Sequence, residues 1–214
     1  MDEILTQLQE AVIIGEPEQA LALAEQTMAS GIAPLTAIEE ALQPAMQTVG
    51  EKYETGEYFI PDLVMAAEAM KSAMTVFEPA LAARHEVRQM LGTVVIGTIE
   101  GDIHEIGKSL VGTMLSAAGF QVHDLGVDVS VESFVQKAQE TQADVVGVSA
   151  LLTTTMLKQE AVVKALEEAG LREKVKVIVG GAPASADWAE TIGADGYAEN
   201  ANEAVGMVKR LLGV

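Results

Sequence analysis

Two short segments concentrate the side chains able to do chemistry. One reads Thr98-Ile99-Glu100-Gly101-Asp102-Ile103-His104-Glu105-Ile106-Gly107, the other Ser149-Ala150-Leu151-Leu152-Thr153-Thr154-Thr155. Gly107-Lys108-Ser109 has the ending of a nucleotide P-loop, but Asp102 stands where the partner glycine belongs and would repel phosphate. Asp102-x-His104 after a strand is also found in metallophosphoesterases, which need several further His and Asn ligands. Beyond His104 this half of the chain offers only His123, so the inventory is too poor. A dinucleotide site is excluded too, because no G-x-G-x-x-G follows the preceding strand. What remains is ligation of a metal by a single histidine. An imidazole coordinates through one nitrogen while the other donates its N–H to an acceptor such as Asp102, which fixes the tautomer and raises ligand basicity. One protein ligand is enough when a macrocycle supplies the equatorial bonds. The competing explanation makes His104 a first-turn residue of a helix, where Asp and His serve capping and the helix dipole.

Such loops must be positioned by rigid elements, and from Leu91 onward short β-rich runs alternate with helical patterns. The predicted strands are Leu91–Gly97, Gln121–Leu125, Asp144–Ser149, Val175–Val179 and a weak Gly196-Tyr197. Helices are expected over His104–Ala118, Val131–Thr141, Thr155–Ala169, Ala186–Ile192 and Asn202–Leu212. Runs as apolar as Val94-Val95-Ile96 are covered on both faces, so the sheet is parallel with right-handed crossovers. In a 2-1-3-4-5 strand order the ligand crevice lies beyond the carboxyl ends of strands 1 and 3, where the two polar loops fall.

The first 88 residues show helical periodicity and almost no strand signal. Pro17, Pro34 and Pro61 open helices, Gly31 closes one, Pro44 breaks or kinks one, and the longest runs from Pro61 to Pro79. The expected fold is therefore α/β: a helical bundle over 1–88, then a flavodoxin-like (Rossmann-like) five-stranded parallel sheet over 89–214. The linker is expected at Ala82–Met90, which includes Arg84, His85, Glu86 and Arg88.

Composition narrows the function classes. With 13 Lys+Arg against 32 Asp+Glu, a net charge of −19 and a pI near 4.4, the surface repels a phosphate backbone, so no nucleic-acid partner is expected. Zero cysteines exclude disulfides, Cys-ligated zinc, iron–sulfur clusters and thiol nucleophiles. No segment approaches the roughly 18 uncharged apolar residues of a membrane span, nor does the start carry a basic segment followed by an apolar one. No membrane partner is expected, and the location is read as cytoplasmic.

Taken together, Asp102-Ile-His104-Glu-Ile-Gly107, then 41 residues (108–148), Ser149-Ala-Leu151, then 28 residues (152–179), then Gly180-Gly181 resemble the cobalamin-binding domain of corrinoid proteins of methyl transfer. That family includes methionine synthase and the corrinoid subunits of methanol and methylamine methyltransferase systems. The resemblance covers essentially the whole chain, since the family also carries an N-terminal four-helix cap, and Gly56-Glu57-Tyr58-Phe59-Ile60-Pro61 is similar to that cap's turn.

The resemblance implies a cobalamin or related corrinoid cofactor, with His104 as the lower ligand to cobalt in place of the cofactor's own base. Asp102 would bond the imidazole, and Thr155, a serine in well-known members, would extend that network. Ser149 and Leu151 would line the slot for the displaced nucleotide tail, Gly107, Gly180 and Gly181 would give it room, and Thr153 is grouped with them. Phe59, Met65 and Met70 are candidates to cover the upper face. The implied role is a methyl carrier, in which cobalt(I) takes a methyl group and methyl-cobalt(III) passes it on. It would serve as a non-autonomous subunit visiting a substrate-specific methyltransferase, an acceptor methyltransferase using tetrahydrofolate or a thiol, and a reductive activase. Two alternatives share the histidine motif. A cobalamin-dependent regulator would add a basic helix-turn-helix, for which this acidic chain has no spare length, and a mutase small subunit would lack the helical cap.

Overall fold

Five runs rich in Val, Ile and Gly form the strands β1 (Thr93–Thr98), β2 (Gln121–Asp124), β3 (Val145–Ser149), β4 (Lys176–Gly180) and β5 (Gly196–Ala198). The computed structural model describes residues 2–84 and 90–214. All four strand pairings are parallel and the order is β2-β1-β3-β4-β5, as the sequence predicts. The chain divides into two units, Met1–Gln89 and Met90–Val214.

The first unit contains α1 (Glu3–Ile13), α2 (Pro17–Ala29), α3 (Pro34–Ala37), α4 (Gln43–Glu54) and α5 (Ile60–Arg84). Leu8, Val12, Ile38, Leu42, Val49 and Phe77 are wholly buried between them. Ala66, Ala69 and Ala73 recur at helical spacing on the buried face of α5, along which α2 packs. The turn between α1 and α2 needs Gly15: its φ is +74°, and a Cβ there would lie 2.6 Å from the Cβ of Met65. Met70 belongs to this core and is buried, whereas Phe59 and Met65 are exposed.

Pro44 marks an interruption of the α geometry, as expected, while Pro79 departs from the expectation. The helix does not stop ahead of Pro44; residues Ile38–Leu42 make a π turn, in which Gln43 donates its N–H to the Ile38 carbonyl, and α4 continues from there. The wider turn absorbs the position that cannot donate. Likewise α5 runs through Pro79 to Arg84, because Pro79 and Thr75, whose carbonyl it leaves unpaired, both lie on the water-facing side. The expected linker therefore starts inside a helix, and its residues 85–89, His85 among them, lie outside the described residues.

In the second unit, strand alternation sends Val94 and Ile96 of β1 with Val145 and Ile178 to one face, against Leu115 of α6 (Ile106–Ala117) and Val208 of α11 (Ala201–Leu212). Val95, Val146, Val148, Val177 and Val179 face the other way. There they meet Phe134 of α7 (Val131–Thr141), Val162 and Leu166 of α9 (Gln159–Glu168), and Ile192 of α10 (Ala186–Ile192). The single helix expected over Thr155–Ala169 is two, α8 (Thr153–Met156) and α9. The break turns Thr155 and Gln159 toward different anchors.

Gly97 is a packing requirement, since a Cβ there would lie 2.8 Å from Cζ of Phe134. Gly97→Ala is expected to destabilise the protein by about 1–3 kcal/mol through overpacking, measured by urea denaturation. An unchanged midpoint would show that α7 is not seated on β1 in this way.

Candidate functional site

The last residues of four strands stand in one register row at the carboxyl edge of the sheet. Thr98 pairs with Ser149, Ser149 with Gly180, and Gly180 with Ala198. All four are small, and they share a sheet face with Ile96 and Ile178, so the row leaves the strand ends bare of bulky side chains. The structure thus brings Ser149 and Gly180 side by side. Beyond β1 the chain turns through Gly101, at φ +85°, and Asp102 donates its N–H to the Ile99 carbonyl at 3.1 Å.

Asp102 is the centre of the site. Its side chain is fully buried, and its carboxylate receives five hydrogen bonds. Oδ1 accepts from the His104 N–H (3.1 Å) and from His104 Nδ1 (2.7 Å). Oδ2 accepts from the Leu151 N–H (2.8 Å), the Leu152 N–H (3.2 Å) and the Thr155 hydroxyl (2.7 Å). Burial raises the carboxyl pKa, but the bonds from Thr155, His104 and the Leu151 and His104 N–H groups outweigh it and hold the group well below the usual carboxylate range. An ionised carboxylate can only accept, so the proton between it and Nδ1 sits on the imidazole. Nε2 is left as the lone-pair nitrogen.

His104 lies ahead of α6, which begins at Ile106; Asp102 and His104 form a tight turn in the loop instead of the first turn of the helix. The capping explanation fails, since no side chain caps α6 and the Asp102 acceptors are used elsewhere. About half of the His104 side chain is exposed, and no partner for Nε2 occurs among the described residues. Around it Ile103 (75% exposed), Ile106 (63%), Leu151 and Leu152 turn apolar side chains to the surface. A rim of exposed apolar groups around one imidazole nitrogen fits a large, flat, apolar ligand carrying a metal. Among the described residues no group of three or more His, Cys, Asp or Glu is arranged to hold an ion, so the donor set fits a metal brought by its own macrocycle.

The three predicted glycines differ in their surroundings. Gly107 has open space where a Cβ would stand, with nothing within 4 Å. Gly180, half-buried at the end of β4, has the Ala198 carbonyl 3.2 Å from that position. At Gly181 φ is +113° and a Cβ would fall 1.8 Å from the Ala150 carbonyl oxygen, so the chain itself demands glycine there. Thr153, the first residue of α8, is exposed.

Several contributors escape the sequence reading. The buried Thr98 hydroxyl donates to the His104 carbonyl at 2.9 Å. Buried Gln159 donates from Nε2 to the carbonyls of Val148 (2.9 Å) and Gly180 (3.2 Å), and its Oε1 accepts from Trp188 Nε1 (2.9 Å). Lys108, buried in α6, pairs with Asp124. The exchange of a polar residue for an apolar one at these positions is the only signal a single sequence offers, and it does not name the partner.

A doubly wound parallel sheet with one carboxylate-oriented histidine at its switch point, joined to a helical unit, defines a protein that carries a metal macrocycle. Two family models, both described as B12 binding domain, match residues 92–206 and residues 4–78. The chain belongs to the corrinoid proteins with B12-binding domains. It is 48% identical over 213 residues to the trimethylamine corrinoid protein of Methanosarcina barkeri, covering 100% of this chain and 98% of that one. To dimethylamine corrinoid protein 1 of Methanosarcina mazei it is 48% identical over 211 residues, covering 99% and 97%. Among solved structures it is similar to the methanol:cobalamin methyltransferase complex MtaBC from Methanosarcina barkeri, with a TM-score of 0.87 at 29% identity, covering 99% of this chain and 80% of that chain.

A carboxyl whose pKa is lowered by folding stabilises the fold above its unfolded value, here 3.8, and that contribution is lost as the pH falls below it. Asp102→Asn retains one acceptor oxygen but places a second donor against donors. The apoprotein variant is expected to be about 2–4 kcal/mol less stable at neutral pH, and its deficit should shrink on acidification below pH 3.8. Denaturant melts across pH check this. Equal stability at neutral pH with parallel acid profiles would show that Asp102 does not hold the loops.

Proposed function

We propose that this chain is a corrinoid methyl carrier, in which His104 holds the cofactor metal through Nε2. The observation that carries the reading is the imidazole itself: Nδ1 is bonded to the buried Asp102 carboxylate at 2.7 Å, and Nε2 faces outward within the apolar rim. The bound corrinoid supplies a cobalt centre able to take up and release a methyl group. The protein's own share is ligation, orientation and access.

In this reading Asp102 would keep Nε2 available to the metal by accepting the Nδ1 N–H and fixing the ring's orientation. Thr155 fixes the Asp102 carboxylate from the far side. Ser149, Leu151, Thr153, Gly107, Gly180 and Gly181 line the slot for the nucleotide tail. Leu151 takes part twice, since its N–H also holds Asp102. Residues 1–88 serve as the cap. The protein is not a complete enzyme by itself; a substrate-specific methyltransferase loads it, an acceptor methyltransferase using tetrahydrofolate or a thiol unloads it, and a reductive activase restores it after oxidation. The cytoplasm is the proposed location. Methylated amines are the first donors to test, because relatives 48% identical over nearly the whole chain are named for trimethylamine and dimethylamine.

The ligand assignment is tested by loading the apoprotein with cob(II)alamin and recording its electron paramagnetic resonance. About one cobalamin per chain is expected, with nitrogen coupling from a histidine that disappears in His104→Ala. Coupling that persists unchanged in the variant removes His104 as the ligand. The carrier role is tested by mixing the loaded, reduced protein with trimethylamine-, dimethylamine-, monomethylamine- and methanol-specific methyltransferases and following the optical spectrum. Methyl uptake is expected with an amine enzyme. Uptake from none of them by fully loaded protein would overturn the carrier reading for these donors.

A further inference from the structure

The His104 loop is gripped from two sides. On the β3 side the grip is the Asp102 carboxylate with Leu151, Leu152 and Thr155. On the β2 side it is the segment from Asp124 to Val129, which none of the assigned motifs includes. Thr98 donates its N–H to the Gly126 carbonyl at 3.0 Å, and Val129 donates its own back to the Thr98 carbonyl at 2.9 Å. Asp128 reaches furthest. Its N–H donates to the Asp102 carbonyl at 2.9 Å, and its Oδ1 accepts the Gly101 N–H at 2.7 Å. Two consecutive residues, immediately ahead of Ile103 and His104, are thus tied to one side chain and its backbone.

Asp128 does this in a left-handed conformation, with φ +54°. Such a φ is costly for most L residues, easy for glycine and tolerated by Asp and Asn. Backbone geometry alone would favour glycine at this place. The requirement for an acceptor aimed at Gly101 explains an Asp. The segment that carries it is anchored at its start, where Asp124 Oδ1 accepts the Gly126 N–H at 2.8 Å and Oδ2 pairs with Lys108, whose side chain is 3% exposed. Lys108 lies in the first turn of α6, one residue after Gly107. The grip is therefore built on the same helix that the His104 loop enters.

We propose that Asp128 is a positioning residue for the His104 imidazole, setting where Nε2 stands by fixing Gly101 and Asp102 from the β2 side. The proposal rests on His104 being the metal ligand. Asp102 orients the ring through its side chain, and Asp128 holds the backbone from which that side chain projects. Loss of the Asp128 acceptor oxygen leaves cofactor binding through the tail slot intact and weakens the bond from imidazole to metal.

The test compares wild type, Asp128→Asn and Asp128→Gly, each saturated with cob(II)alamin at neutral pH, by the ratio of histidine-coupled to uncoupled cobalt in electron paramagnetic resonance. Urea melts of the three apoproteins run beside it. Asn tolerates the same φ and offers a carbonyl oxygen to Gly101, so its ratio should match wild type. Gly relieves the backbone and removes the acceptor. Its melt should stay close to wild type while its ratio falls by about tenfold, the lower end of the effect of losing an outer-shell partner. An Asp128→Gly ratio within about twofold of wild type, or an Asn variant as impaired as Gly, overturns the proposal. Should Asp128→Gly not fold, Asp128→Ser takes its place under the same two criteria. Absence of nitrogen coupling in wild type is a separate result, which removes the ligand assignment and this proposal with it.

Discussion

The site depends on one buried carboxylate. A charge removed from water is tolerated only when paired and fully hydrogen-bonded, and Asp102 meets that condition with five donors drawn from two loops. The donors lie on His104 itself and 49 to 53 residues further along the chain. Asp102 therefore joins the ends of β1 and β3 and orients the histidine with the same two oxygens. Neither task is separable from the other. The strand order matters for this reason: only with β1 and β3 adjacent do the two loops come close enough to share one side chain.

Much of the sheet unit was legible because β1, β3 and β4 are buried on both faces, which leaves Val-rich runs in the sequence. The parallel direction followed from those runs, and the strand order from the flavodoxin-like arrangement. Boundaries were less legible where a side chain competes with the backbone. The helix expected from His104 starts at Ile106, because the Asp102 carboxylate takes the His104 N–H and bends the chain before the helix. Pro44 falls where regular α geometry is interrupted, in keeping with the expected break or kink, whereas Pro79 does not end α5. A proline ends a helix only if its missing hydrogen bond cannot be absorbed; at Pro44 a π turn accommodates it, and at Pro79 both the ring and Thr75 are on the exposed side of α5.

At the site, Asp102, His104 and Thr155 are brought together, as the family resemblance implied. Asp128 was not visible, since its partner Gly101 lies 27 residues away and nothing about an exposed Asp in a turn announces a tertiary contact. Gln159 was missed because it sits in a stretch that reads as a continuous helix. Gly181 has a second reason to be glycine that the sequence does not display: a Cβ there would strike the Ala150 carbonyl of its own chain.

Gln159 also gives the molecule an optical property. Its carboxamide grips the carbonyls at the ends of β3 and β4 and bonds the indole of Trp188, the single tryptophan of the chain. Any spreading of those strand ends pulls on the carboxamide and changes the polarity felt by the ring. The protein thus carries one indole, wired to the carboxyl edge of the sheet.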